Sequence, residues 1–266
     1  MLMLHVGLNP GIPGGRFARL RPLRGHDEAS VNGAGSVDLI AFLDRLLTNA
    51  PGTTVGPGRA TDLAVCDCDR LCASIYLDYF GDCIEGRIAC DDCREFFDLS
   101  FSLAEMMGKL AGDRTKASGP DPDGVFTLAN GCRFRLPTAG DERASAGLDP
   151  DEAVSALLGR CIVEGEPAED AEILQTTMEQ VGPLLDMELD ASCPRCGISQ
   201  RVRFDIQSYL FRALAYERQF LNYEVHCIAR AYGWGYQEIL NLTREDRRTF
   251  VGLIKSARPA PRRVEA

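Results

Sequence analysis

The sequence predicts an α+β fold: two pseudo-repeated halves, each a helix and a β-hairpin with a zinc knuckle, sharing a four-cysteine zinc site, with a helical C-terminal region. Three observations lead there. Two CxxC turns, Cys90-Asp91-Asp92-Cys93 and Cys193-Pro194-Arg195-Cys196, lie about 100 residues apart. Each falls between two strand-like stretches framed by helical periodicity, so the order helix, strand, CxxC, strand, helix occurs twice. Landmarks recur as well: Asp82 and Asp186 stand just ahead of the two knuckles, and Phe97-Asp98-Leu99 answers Phe204-Asp205-Ile206 behind them.

Taken in order, residues 1–36 are rich in Gly, Pro and Arg, without a sustained hydrophobic period, and read as a flexible N-terminal arm. The first half spans 37–146. Val37, Ile40, Leu43 and Leu47 recur at helical spacing before the Pro51-Gly52 breaker. Thr61 is placed to cap a helix that runs to about Phe80 and ends at Gly81. Ile84 to Ala89 and Glu95 to Phe101 then form a hairpin around the first knuckle, Ser102 to Leu110 is helical, and Val125 to Leu136 is hairpin-like after a Gly/Pro loop.

The second half spans 147–257. Asp149-Pro150 opens a helix carrying Val154, Leu157, Leu158 and Cys161, and Glu172 to Asp186 is helical with Pro183 shortening it. Met187 to Ser192 and Ser199 to Ile206 flank the second knuckle. Helices over about 207–232 and 236–256 follow, and 258–266 reads as a flexible tail.

The cysteines carry the chemistry. A CxxC turn presents two thiolates to one ion, and two such turns complete the tetrahedral shell that zinc prefers, so Cys90, Cys93, Cys193 and Cys196 are the expected ligands of one structural Zn2+. Four thiolates on a dication leave a formal charge of about −2, which Arg94 and Arg195 are placed to offset. Cys66, Cys68 and Cys72 compete for the role, with Cys83 or the first knuckle completing a local site; otherwise they are small buried residues, as are Cys132, Cys161 and Cys227. Eleven cysteines with no secretory signal fit a reducing compartment, where clustered thiols suggest metal more than bridges.

Other function classes find less support. The formal charge of −10 disfavours general phosphate-backbone binding, so nucleic acid is not an expected partner. No apolar run is long enough to span a bilayer, so no membrane insertion and a cytoplasmic location are expected. The three histidines are His5, His26 and His226; a His-dependent enzyme would rest on His226, and no Walker loop, G-x-S-x-G elbow or HExxH helix is present. The expectation is no enzyme and no small-molecule substrate. The main alternative is a zinc-ribbon regulator of nucleic acid, with Arg244, Arg247 and Arg248 touching phosphates. Trp234, Tyr236 and the helix through Arg247 are the candidate contact surface for a protein partner, and the acidic 141–190 stretch suits a basic one.

The blocks RFRLPTAGDERAS at Arg133 to Ser145, LLGRC at Leu157 to Cys161, CPRCGISQRVRFDIQSYL at Cys193 to Leu210 and HCIARAYGWGYQEILNLTREDRRTFVGLI at His226 to Ile254 stand in a distinctive order. In that order the chain resembles the T4-type baseplate hub assembly chaperone family of contractile phages and related injection systems. The likeness covers roughly Leu63 to Ile254. It implies an assembly chaperone or structural component of a contractile baseplate, with other baseplate or hub proteins as partners and incorporation in the particle as one fate. The first knuckle departs from the family's CPxCG-like pattern: CDDC keeps both thiols but lacks the proline and glycine of the turn.

Overall fold

The computed structural model describes residues 3–31, 33, 35–109, 117–165 and 167–257, with the side chains of 167–170 left out. The expected tail over 258–266 lies outside the described residues. Among the described residues the fold is mixed α+β, with helices, three two-stranded hairpins and one four-stranded sheet.

The first correction concerns the N-terminal segment, which is no flexible arm. β1 (Leu4–Ile12) and β2 (Gly15–Leu20) pair antiparallel, with Val6 opposite Ala18, and α1 (Gly25–Ala29) follows. Val6, Leu8, Ile12, Ala18 and Leu20 are buried in the main core. Alternation on one face drives this packing despite the Gly and Pro content. The ladder register shifts between Gly7 and Ile12. There the N–H groups of Asn9 and Gly11 donate to the buried carboxylate of Asp67, at 2.6 and 2.8 Å.

α2 (Ser36–Leu46) buries Leu39, Ile40, Phe42, Leu43 and Leu46 along one stripe. A single 3-10 turn, Ala60–Asp62, precedes α3 (Val65–Phe80), so Thr61 lies in that turn and the helix starts after Ala64. β3 (Cys83–Ala89) and β4 (Phe96–Ser102) form the first knuckle hairpin, and α4 (Leu103–Lys109) follows, with Asp82 accepting from the N–H of Ala104 at 2.7 Å.

β5 (Ala117–Ser118), β6 (Val125–Leu128), β7 (Arg133–Arg135) and β8 (Ile162–Glu164) make the four-stranded sheet. Three elements here go beyond the sequence reading: β5, β8 and α5 (Ala139–Ser145). α5 begins with a reciprocal cap. The Thr138 hydroxyl accepts from Asp141 N–H at 3.2 Å while the Asp141 carboxylate accepts from Thr138 N–H at 3.0 Å. Arg135 locks the same carboxylate at 2.6 Å. α6 (Pro150–Cys161) is capped by Asp149, and α7 (Pro167–Val181) stops ahead of Pro183. Both helices pack on this sheet in a second core with Phe126, Phe134, Leu136 and Leu174.

β9 (Asp186–Ser192) and β10 (Ser199–Asp205) form the second knuckle hairpin. Asp205 then caps α8 (Ile206–Tyr232) by accepting from Gln207 and Ser208 N–H, and Gly233, in the left-handed region, ends it. The helix expected over 236–256 is divided into α9 (Tyr236–Leu240) and α10 (Arg244–Ser256). The Thr243 hydroxyl accepts from Asp246 N–H and starts a new helix there. The main core draws together β1, β2, α2, α3 and the first half of α8. Leu71 and Leu210 therefore share one interior although they come from different sequence halves. Among the described residues, no helix is long and apolar enough to cross a membrane.

Candidate metal centre

Each knuckle turns on the same backbone device. Cys90 N–H donates to Glu95 C=O and Arg94 N–H to Cys90 C=O, at 2.9 and 3.0 Å; Cys193 N–H donates to Ile198 C=O and Gly197 N–H to Cys193 C=O, both at 2.9 Å. The residue after the second cysteine must then have positive φ. Gly197 does so at 76° without a steric penalty, whereas Arg94 is held at 61° with a side chain that disfavours it. The departure of the first knuckle from a CPxCG-like pattern thus appears as local strain.

The two hairpin tips face each other. Cys90 and Cys196 Sγ stand 3.5 Å apart, Cys93 and Cys193 Sγ 3.8 Å apart, and all four sulfurs lie within 4.8 Å of one another. A tetrahedral ion with metal–sulfur bonds of about 2.3 Å sets its sulfurs about 3.8 Å apart, so the donor set fits. Among the described residues this is the one group of three or more Cys, His, Asp or Glu with ligand atoms so close. All-sulfur tetrahedral sets suit zinc and iron among the common metals, and a filled four-thiolate shell leaves no position for a substrate.

Small contacts fix the approach of the tips. Ile88, Phe97, Leu99, Ala191 and Val202 pack with the cysteines as a separate apolar cluster. Gln200 on β10 reaches across: its Oε1 accepts from Asp91 N–H at 3.0 Å, and its Nε2 donates to Ala89 C=O at 3.1 Å. Arg195 pairs with Glu95 on the opposite tip, so its cation ties the hairpins together. Farther down, the Tyr209 hydroxyl donates to Glu85 C=O at 2.6 Å. Gln200, Glu95 and Tyr209 escaped the sequence reading, since nothing about their spacing singles them out.

Cys90 and Cys193 have almost no solvent contact, while Cys196 is exposed, leaving one side open for an ion to enter. The backbone N–H of Cys196 does most to hold the Cys193 thiol down at about 7, against partial desolvation and with help from the N–H of Arg195. Cys196 is pushed up to about 12: Ile198 N–H opposes the rise, but desolvation and the neighbouring thiols outweigh it. Four thiols this close cannot all ionise without a cation between them.

The competing cysteines are not brought together in such a group. Burial pushes the thiols of Cys66, Cys68 and Cys72 far up, and Cys161 to about 11, so they stay protonated at neutral pH. Cys83 is exposed at the start of β3. His5, His26 and His226 lie on β1, α1 and α8 respectively.

The C-terminal candidates divide. Trp234 packs against Phe250 and Tyr232, with ring centroids 5.0 and 5.5 Å away, while Tyr236 is exposed. Arg247 is no surface residue. It is fully buried, bonding Glu28 and Glu224 at 2.7 Å each, and buried Arg244 pairs with Glu28 at 3.3 Å. Neither side chain is free to meet a phosphate. No family model, no curated protein and no solved structure matches this chain.

Proposed function

We propose that the chain is a non-enzymatic, zinc-stabilised assembly chaperone or structural component of a contractile tail or injection-system baseplate, working by protein contacts. The observation that carries the scaffold half of this reading is the convergence of four thiols from two turns about 100 residues apart. Zinc is the preferred ion because it takes four thiolates in a purely structural, redox-inert shell. On this reading the two hairpins are the repeated parts of two related halves, and the ion fastens one to the other.

The baseplate half rests on the ordered sequence blocks and on what they do. The RLPTAGD block builds the Arg135–Asp141–Thr138 helix cap, and the CPRCG block builds the second knuckle. The last block includes Arg244 and Arg247, which pair with Glu28 across the chain. The blocks are therefore framework, which suits a protein whose work is to hold a shape for partners. The regulator reading has less support, because the charge is −10 and two of its three arginines are buried.

The test is to tag the chain in its native host and recover assembled particles and intermediates. Co-purification of tail or baseplate subunits with the tagged chain is expected. Co-purification with promoter DNA, or with neither, would overturn the assignment.

A further inference from the structure

α8 is 27 residues long and carries two stripes. One is buried, through Leu210, Leu214, Leu221 and Ile228. The other, Tyr209, Ala213, Tyr216, Phe220, Tyr223 and Cys227, follows the alternating four- and three-residue spacing of a helix-packing seam. Its ends are covered, Tyr209 by the first knuckle hairpin and Cys227 by the C-terminal helices. Its middle is open to solvent: Tyr216 is 65% exposed, Phe220 41% and Tyr223 50%. Exposed Arg212 and Arg230 flank it, and the Lys255 ammonium stands 5.5 Å from the Tyr223 ring centroid. Aromatic side chains bordered by cations are the usual composition of a contact hot spot.

The complementary face lies on the same chain. Between α6 and α7 an apolar cleft of about 190 Å³ is lined by Cys66, Leu136, Val154, Leu158, Met178 and Leu184 among others. Glu179 lies at its lining, Asp151, Glu152 and Glu172 are exposed on the same two helices, and Arg160 is their one basic residue. Apolar cavities of about 150 Å³ accept a benzene ring, so an aromatic side chain fits.

We propose that the chain self-associates head to tail, the aromatic stripe of α8 in one copy docking into the α6–α7 cleft of another. Charge selects this pairing over stripe on stripe. Two α8 stripes laid together, parallel or antiparallel, bring Arg212 and Arg230 against like charges, whereas the cleft is lined by Glu179 and the two helices that border it also carry exposed Asp151, Glu152 and Glu172. A contact between unlike faces builds rings or filaments.

Sedimentation velocity of the full chain over a concentration series is the test. The wild-type chain is expected to associate at low salt and to dissociate as salt is raised. Phe220→Asp spoils the stripe and Val154→Arg the mouth of the cleft, both at exposed positions. Each alone should weaken association by roughly tenfold or more. Mixed in equal amounts they should form a 1:1 species and nothing larger, since the first keeps an intact cleft and the second an intact stripe. Circular dichroism checks that both stay folded, with Glu179→Lys as the substitute on the cleft side. A wild-type chain that stays monomeric, a cleft variant that associates normally, or a mixture that remains monomeric would each overturn the proposal.

Discussion

Two junctions in this chain tie together segments far apart in sequence, and they do so by opposite means. At the hairpin tips, four cysteines meet beside a small apolar cluster. At the meeting of α1, α8 and α10, Arg247 lies out of solvent between Glu28 and Glu224, with a third bond to Leu242 C=O at 3.0 Å. The second tie is written wholly into the polypeptide. On the proposed reading the first is completed by an ion, so its strength would depend on metal supply and on proton competition for sulfur. Both fix position, and removing one partner from either leaves a buried group without its compensation.

Breaking the two ties should therefore look different. The largest effect is expected from chelation or from Cys193→Ala. Structural zinc is worth on the order of 10 kcal/mol in small peptides, and its loss should abolish hydrogen-exchange protection across β3–β4 and β9–β10 first. Equal loss throughout the chain would instead mean that the tips nucleate the whole fold. Arg247→Ala comes next, at roughly 3–5 kcal/mol by chemical denaturation, with bound metal per folded chain unchanged.

A third anchor sharpens the contrast, because it responds to pH through a carboxylate. Buried Asp69 accepts from Leu185 N–H at 2.8 Å and from Gln207 Nε2 at 2.7 Å. Burial nevertheless pushes its pKa up to about 7. The folded state therefore holds this proton more tightly than the unfolded state, whose value is about 3.9. Its contribution is fully present below about pH 4 and is lost as pH rises through about 7. Asp69→Asn should remove a pH-dependent change in stability on the order of 4 kcal/mol over that window, read by denaturation at several pH values; an unchanged pH dependence would place the proton elsewhere. The smallest effect is expected from Arg94→Gly, which should stabilise the metal-loaded chain by about 1 kcal/mol in thermal unfolding by relieving the positive φ. No gain there would mean that the Arg94 side chain offsets the strain.

The contrast also explains what could be read from the sequence. The knuckles were legible because each CxxC is local and its chemistry lies in the side chains themselves. The flanking strands, α2 and the stop before Pro183 were legible from period and breakers. The N-terminal hairpin was not, although Val6 and Leu8 alternate, because Gly and Pro dominate the composition and the carboxylate that receives Asn9 and Gly11 is on Asp67. Arg247 reads as a surface cation by residue type, and two carboxylates make its burial tolerable, Glu224 at 23 residues away and Glu28 at 219. The convergence of the tips likewise depends on Gln200 and Tyr209, whose partners lie more than 100 residues away.

The most direct measurement is X-ray absorption at the metal edge combined with metal analysis of the purified chain. One zinc per chain, with four sulfur neighbours at about 2.3 Å that vanish in Cys93→Ala/Cys196→Ala, is expected. A chain that carries no zinc when folded, or zinc bound by nitrogen or oxygen while these four thiols react freely with a thiol reagent, would contradict the account.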